Sequence, residues 1–354
     1  MEKNINCIHR IVIRTDANAR MGTGHLMRCL ALAQAWQDAG GHAAFLTIPF
    51  SSILEDRLKS EGMDIVYLSA GFGSSDDALQ TAALAKEIDA SWIVLDGYQF
   101  DGTYQQALKS NGRKLLFLDD YGHVRHYCAD LVLNQNLYAD KGLYANREPY
   151  TQILLGAEYV LLGRHFEKWR GWRREIPEVA RNVLVTLGGS DPDNVTFGVI
   201  EALEQLDGIA LEVRVVVGPA NPHFQMLRKV AERSTLAIQI FTAVTDMPAL
   251  MAWADIAISA GGSTCWEIAY MGLPNCTIVI ADNQLQVAEI LQELGVSTHM
   301  GRFDSIDQTD MIQVIRGLVQ DKKHRRSMSI QGQSVIPGFG SQNVVRAMLE
   351  HKTK

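Results

Sequence analysis

The chain has 354 residues, 47% apolar and 21% charged, with a formal net charge of -7; it is long enough for two domains that each bury a core, and its composition is that of an ordered globular protein. The acidic balance argues against a nucleic-acid partner, so an anionic ligand has to be met by local donors. No apolar run reaches the length of a membrane span, MEKNINCIHR lacks a signal-peptide core, and the five cysteines show no CxxC spacing, so we expect a cytoplasmic protein with free thiols and neither a disulfide framework nor a zinc motif.

Ile11 to Ile13 predicts a short buried strand, and Leu26, Leu30 and Ala33, with Met27 and Ala31, recur at helical spacing. His25 then stands in the helix's first turn. Gly22 and Gly24 permit a tight turn and close ligand approach. A helix start disfavours imidazolium, and the neutral ring is a competent general base; a capping or space-filling histidine is the plainer alternative. Arg14 and Asp16 leave the strand's end, and Arg28 lies one turn beyond His25. A carboxylate and a base are thus expected to converge above a parallel strand. Alternatively, Asp16 caps the turn and pairs with Arg28 on the surface.

The first half continues as alternating strands and helices: HAAFLTI, a helix over 51–61, DIVYLS, a helix over 76–88, SWIVLDGY, a helix over 104–110, KLLFLDDY and DLVLNQN, then a short apolar turn, ILLGAEYVLL. This predicts a doubly wound, mostly parallel sheet. Polar residues stand at the strand ends: Asp96 and Tyr98, Asp119 and Asp120, and Asn134 to Asn136. The charged, aromatic segment from Phe166 reads as an interdomain connection over 166–180, between a first domain (1–165) and a second (181–354) whose last helix can return to the first. The second half repeats the alternation through NVLVTLGGSDPDN, a helix over 196–206, LEVRVVVGPANP, a helix over 223–233, LAIQIF, a helix near 247–253, DIAISAGGSTCWEIAYMG, NCTIVIADNQ and two further helices.

Three turns of this half are rich in small residues and donors: LGGSDP with Gly188, Gly189 and Ser190, then VGPANP, then SAGGST. In the last, Gly261 and Gly262 open the turn and Ser263 and Thr264 lead into a helix, so N–H groups and hydroxyls can converge on a diphosphate. Glu267, one turn in, is placed to accept both hydroxyls of a ribose; the same spacing also reads as a capping box. No GxxxxGK[ST] pattern is present and no GxGxxG follows the first strand. The pairs Asp119 with Asp120 and Asp191 with Asp193 read as solvated loop carboxylates rather than magnesium ligands, and no metal or cofactor is expected.

The ordered set RTDANARMGTGHLMRC, LGGSDPDNVT, SAGGSTCWE and GLPNCTIVIADNQ resembles the UDP-2,4-diacetamido-2,4,6-trideoxy-β-L-altropyranose hydrolases of pseudaminic acid biosynthesis, relatives of the GT-B glycosyltransferases. The resemblance spans nearly the whole chain. It implies a GT-B fold of two facing Rossmann-like domains, with His25 as catalytic base, Ser263 and Thr264 as phosphate loop, Glu267 on the ribose, the backbone around Val244 on uracil, and Asn283 with Gln284 closing over sugar and nucleotide. Asp96 with Tyr98, and Gln135 with Asn136, match two further motifs on the sugar side. The hydrolases have Asp-His-Tyr where this chain has Asp96, Gly97 and Tyr98, and an acidic residue where it has Asn134.

The expected reaction is metal-independent: a water on His25 attacks the anomeric carbon of a UDP-sugar, inverting it and releasing UDP. Two alternatives stay open: a glycosyltransferase in which His25 deprotonates an acceptor hydroxyl, and a non-catalytic nucleotide-sugar sensor. The departures leave the sugar's identity and the acceptor open, and the oligomeric state is not encoded.

Overall fold

The computed structural model describes residues 9–18, 22–218, 221–242 and 244–352. The described chain divides into two compact units, one gathering residues 9–18, 25–164 and 339–352, the other Gly22–Gly24 and His165–Gly338. The connection segment groups with the second unit, where the Arg174 guanidinium donates to the carbonyls of Met251, Ala254 and Met271.

The first unit runs β1 (Arg10–Thr15), α1 (Gly24–Asp38), β2 (His42–Thr47), α2 (Ser52–Ser60), β3 (Asp64–Tyr67), α3 (Ser75–Glu87), β4 (Trp92–Asp96), α4 (Gly102–Lys109), β5 (Lys114–Leu118), β6 (Leu131–Asn134) and β7 (Gln152–Leu155). All pairings are parallel, in the order β3-β2-β1-β4-β5-β6-β7. Central strands are apolar on both faces because each face carries a core: Ile11 and Ile13 share one with Leu26, Leu30 and Trp36 of α1, and Val12 shares the other with Ala78, Ala82 and Tyr104 of α3 and α4. The apolar turn expected at ILLGAEYVLL is corrected, because its start is β7, which pairs with β6 and whose apolar residues run on past Gly156 with no sequence boundary at the strand's end.

The second unit runs β8 (Asn182–Thr186), α5 (Val195–Glu204), β9 (Glu212–Val216), α6 (Phe224–Arg233), β10 (Ala237–Phe241), α7 (Met247–Trp253), β11 (Ile256–Ala260), α8 (Thr264–Tyr270), β12 (Asn275–Val279), α9 (Leu285–Glu293), β13 (Ser297–Arg302), α10 (Gln308–Gln320) and α11 (Lys322–Val335). Its parallel sheet has the order β10-β9-β8-β11-β12-β13. The tail differs from the two helices expected: it holds the polar edge strand β13 and four helices, with Asp321 capping α11 immediately after α10. The fourth is α12 (Gly340–Glu350), whose Val344, Val345 and Met348 join the first unit's core beside Leu154 and Leu161. Among the described residues no helix is long and apolar enough to cross a membrane.

Both sheets reverse their growth beside their first strand, between β1 and β4 and between β8 and β11. In open α/β sheets the loops at such switch points form the binding crevice. Thr15 lies opposite Asp96 at one, and Thr186 opposite Ser259 at the other.

Candidate active site

β4 ends on Asp96, and α1 begins beside it. The carboxylate, fully buried, lies 2.6 Å from His25 Nδ1. A carboxylate accepts, so Nδ1 carries the proton and Nε2 keeps the lone pair; Nε2 has no partner among the described residues. Arg28, one turn along α1, donates Nε to Asp96 Oδ2 and Nη2 to Asp96 Oδ1, both at 2.6 Å, and Nη1 to Asp120 Oδ1 at 2.6 Å. Tyr98 donates to Asp120 at 2.7 Å, and its ring meets the His25 ring edge-on with centroids 4.9 Å apart. Asn136 Nδ2 donates to Asp120 Oδ1 at 3.2 Å, and the Cys29 thiol to Asp96 Oδ2 at 3.4 Å.

Burial alone would raise the Asp96 carboxyl; Arg28 first, then His25, overcome this and hold it well below the ordinary carboxylate range. Asp120 is also held down, burial being outweighed by Arg28. One guanidinium thus faces two carboxylates in the cluster. The Arg28–Asp16 surface pairing does not occur, since Arg28 is buried and its partners are Asp96 and Asp120.

The carboxylate that meets His25 is Asp96, not Asp16. Asp16 is drawn to the other side of β1, where it accepts from Arg14 Nη1 at 2.5 Å, the Ile48 N–H at 2.9 Å and Gln99 Nε2 at 3.0 Å. Arg14 is fully buried and grips both oxygens of Asp77 at 2.8 and 2.9 Å, which makes this pair part of the fold's frame. Gln135 also turns away, its Oε1 accepting from the Leu161 N–H at 3.0 Å. At Gly97 a Cβ would lie 2.6 Å from Gln99 Oε1, so the Gln99 amide fills the space where a longer side chain would go. Asp119 is no solvated carboxylate: it is buried and accepts from the N–H groups of Asp120, Tyr121 and Gly122 and from Tyr127 and His123. Sequence reasoning missed the roles of Asp120 and Cys29, although the polar ends of successive strands carried the signal for the former.

In the second unit the residues expected on the nucleotide side follow β8 (188–190), β10 (Val244), β11 (261–264 and Glu267) and β12 (Asn283 and Gln284). Gly188 and Gly189 follow β8, and a Cβ on Gly218 would lie 2.2 Å from the Gly189 carbonyl, so the turns after β8 and β9 pack backbone to backbone. Beyond Ser190, buried Asp191 accepts from the Val195 and Thr196 N–H groups and the Thr196 hydroxyl, which corrects its reading as a solvated carboxylate. After β11, Gly261 runs so close to Gln284 that a Cβ would lie 2.9 Å from its carbonyl; Gln284 Oε1 accepts from the Ile280 N–H at 3.0 Å, and Asn283 stands beside it in the same short turn. Ser263 makes no capping bond, so the capping-box alternative is absent. The N–H groups of Gly262, Ser263 and Thr264 have no acceptor among the described residues. Glu267, half-buried and without a hydrogen-bonding partner among them, is pushed up to about 8 by burial. Val244 lies just before α7, while residues 19–21 of the first turn fall outside the described residues.

Residues 182–336 match the glycosyltransferase family 28 C-terminal domain. The spore coat polysaccharide biosynthesis protein SpsG of Bacillus subtilis is 24% identical over 93% of this chain and 94% of its own. The UDP-2,4-diacetamido-2,4,6-trideoxy-beta-L-altropyranose hydrolase of Campylobacter jejuni is 23% identical over 81% of this chain and 97% of its own. An uncharacterized protein of Methanocaldococcus jannaschii is 26% identical over 85% of this chain, which spans 63% of that protein's length. Among solved structures, MurG of Acinetobacter baumannii superposes with a TM-score of 0.68 at 18% identity, covering 97% of this chain and 99% of that one. The chain therefore has the GT-B glycosyltransferase fold, built on two parallel sheets, and its residues 182–336 carry the family 28 C-terminal domain pattern.

Proposed function

We propose that the protein hydrolyses a UDP-linked di-N-acetylated deoxy sugar, releasing UDP and the free sugar with inversion at the anomeric carbon. The reading draws its substrate class from the named hydrolase relative and its chemistry from the His25 cluster. A water gives its proton to His25 Nε2 as its oxygen bonds to the anomeric carbon, which passes through an oxocarbenium-like state. The bond from that carbon to the diphosphate oxygen breaks, and its electron pair leaves with UDP. Asp96 fixes the ring's tautomer and steadies the imidazolium that forms. The N–H groups of Gly262, Ser263 and Thr264, which have no acceptor among the described residues, and the two hydroxyls meet the charge growing on the diphosphate, so the step needs neither a general acid nor a metal.

In this reading Glu267 accepts the ribose hydroxyls, the backbone around Val244 reads the base, and Gly188, Gly189, Ser190, Asn283 and Gln284 complete the nucleotide side. Tyr98 and Asn136 address the sugar, and Gly24 sets the approach to His25. The observation that carries the reading is one imidazole whose Nδ1 is held by a buried carboxylate 2.6 Å away while Nε2 has no partner among the described residues. Its test is UDP release from a panel of UDP-sugars, with and without saccharide or lipid acceptors, following the anomeric proton by NMR. Hydrolysis predicts release without an acceptor and an inverted free sugar. Release only with an acceptor is the transferase outcome, toward which the MurG likeness points, and binding without turnover is the sensor outcome.

A further inference from the structure

We propose that His126, Cys128 and Glu148 form a metal site for a soft divalent cation, zinc by ligand preference. Tyr127 and Arg147 form a parallel bridge, with the Tyr127 N–H on the Asn146 carbonyl at 3.1 Å and the Glu148 N–H on the Tyr127 carbonyl at 3.0 Å. Tyr127 is buried at 1% exposure, so its neighbours 126 and 128 share the opposite side of the chain, as 146 and 148 do on the facing segment. The His126, Cys128 and Glu148 ligand atoms all lie within 4.8 Å of one another.

The hydrogen bonds fix what these atoms offer. Asn146 Nδ2 donates to the Arg125 carbonyl, which turns its Oδ1 to His126 Nδ1 at 2.8 Å. Nδ1 therefore donates to Asn146, and Nε2 faces Glu148 Oε1 at 3.0 Å, a pair that either a shared proton or a shared metal cation holds together. A proton serves that pair alone, but the Cys128 sulfur lies within 4.8 Å of the His126 and Glu148 ligand atoms and supplies the third member of the N, O and S donor set that zinc takes. A carboxamide fixing the tautomer of a ligating histidine is the outer support such sites use. Opening the pair to roughly 3.3 Å, the edge of a tetrahedron with Zn–N and Zn–O near 2.0–2.1 Å, is a shift of a few tenths of an ångström. The exposed sides of His126 and Glu148 leave a fourth position to solvent. None of these residues bonds to the His25 cluster.

The test titrates Co²⁺ and Zn²⁺ into the metal-stripped full-length protein. The expected result is one equivalent bound, with a thiolate-to-cobalt charge-transfer band that Zn²⁺ displaces. Cys128→Ser abolishes the band, Asn146→Ala weakens Zn²⁺ binding about 10- to 100-fold, Glu148→Gln weakens it at least tenfold, and Cys7→Ser changes nothing. Zinc raises the thermal midpoint of the wild type and not of Glu148→Gln, a half-exposed position that carries the test should Cys128→Ser not fold. No stoichiometric binding, equal affinity in Glu148→Gln, or a band surviving in Cys128→Ser overturns the proposal and leaves a plain His126–Glu148 ion pair.

Discussion

In the proposed mechanism Asp96 has two jobs, orienting the His25 ring and balancing the charge that the ring gains in the transition state. Asp96→Asn keeps the shape and removes both. The expected result is a fall in kcat of about 10²-fold or more with KM little changed, because the lost interaction belongs to the transition state; a matching rise in KM with kcat intact would make Asp96 a binding residue. Glu267 supplies a pH signature. Burial raises its carboxyl to about 8, so the folded state holds that proton more tightly than the unfolded chain, and this group's contribution to stability falls as pH climbs from the ordinary carboxylate range through about 8. In the proposed site the ribose hydroxyls favour the ionised form, so UDP binding is expected to expel the proton. UDP affinity therefore strengthens up to about tenfold per pH unit below 8 relative to Glu267→Gln, and identical pH dependence in the two proteins would remove Glu267 from the ribose.

Among the elements, α12 makes the sharpest claim. Its entry passes so close to the chain that a Cβ on Gly340 would lie 2.1 Å from the Val160 carbonyl, while Ser341 and Asn343 donate to the Leu162 and Glu158 carbonyls at 3.0 and 2.8 Å. Gly340→Ala must push this helix off its seat, at an expected cost of about 1–3 kcal/mol, measured by denaturant midpoint; an unchanged midpoint would show that the seat yields. Central strands were legible in the sequence because burial on both faces demands continuous apolar runs, as in Trp92–Asp96 and Ile256–Ala260. β7 and β13 were not, because β7 opens an apolar run that continues past Gly156 to Leu162 without a strand boundary, and Ser297–Arg302 is mostly polar. His25 could be placed from its helix start, yet its partner stands 71 residues away. Only the strand order, which seats β4 beside β1, brings the two together, and spacing along the chain carries no record of it. Asp16, two residues beyond Arg14, was the natural sequence candidate, and it fails because its side of the strand belongs to Arg14 and Gln99.

Across the whole molecule, the doubly wound order is built twice, and each sheet offers a different chemistry at its switch point: titratable side chains after β1 and β4, backbone donors and small residues after β8 and β11. Under the proposed function, that division lets a chain of net charge -7 meet a diphosphate without a basic surface, with the N–H groups at 262–264, which have no acceptor among the described residues, in the place of lysines. The claim on which this account turns is that His25 takes the proton in the bond-making step. Its most direct test is steady-state UDP release by wild type and His25→Ala on one UDP-sugar, with UDP affinity measured on both proteins. Turnover is expected to fall about 10²- to 10⁴-fold with UDP affinity unchanged; wild-type turnover in the variant would show that another group takes the proton.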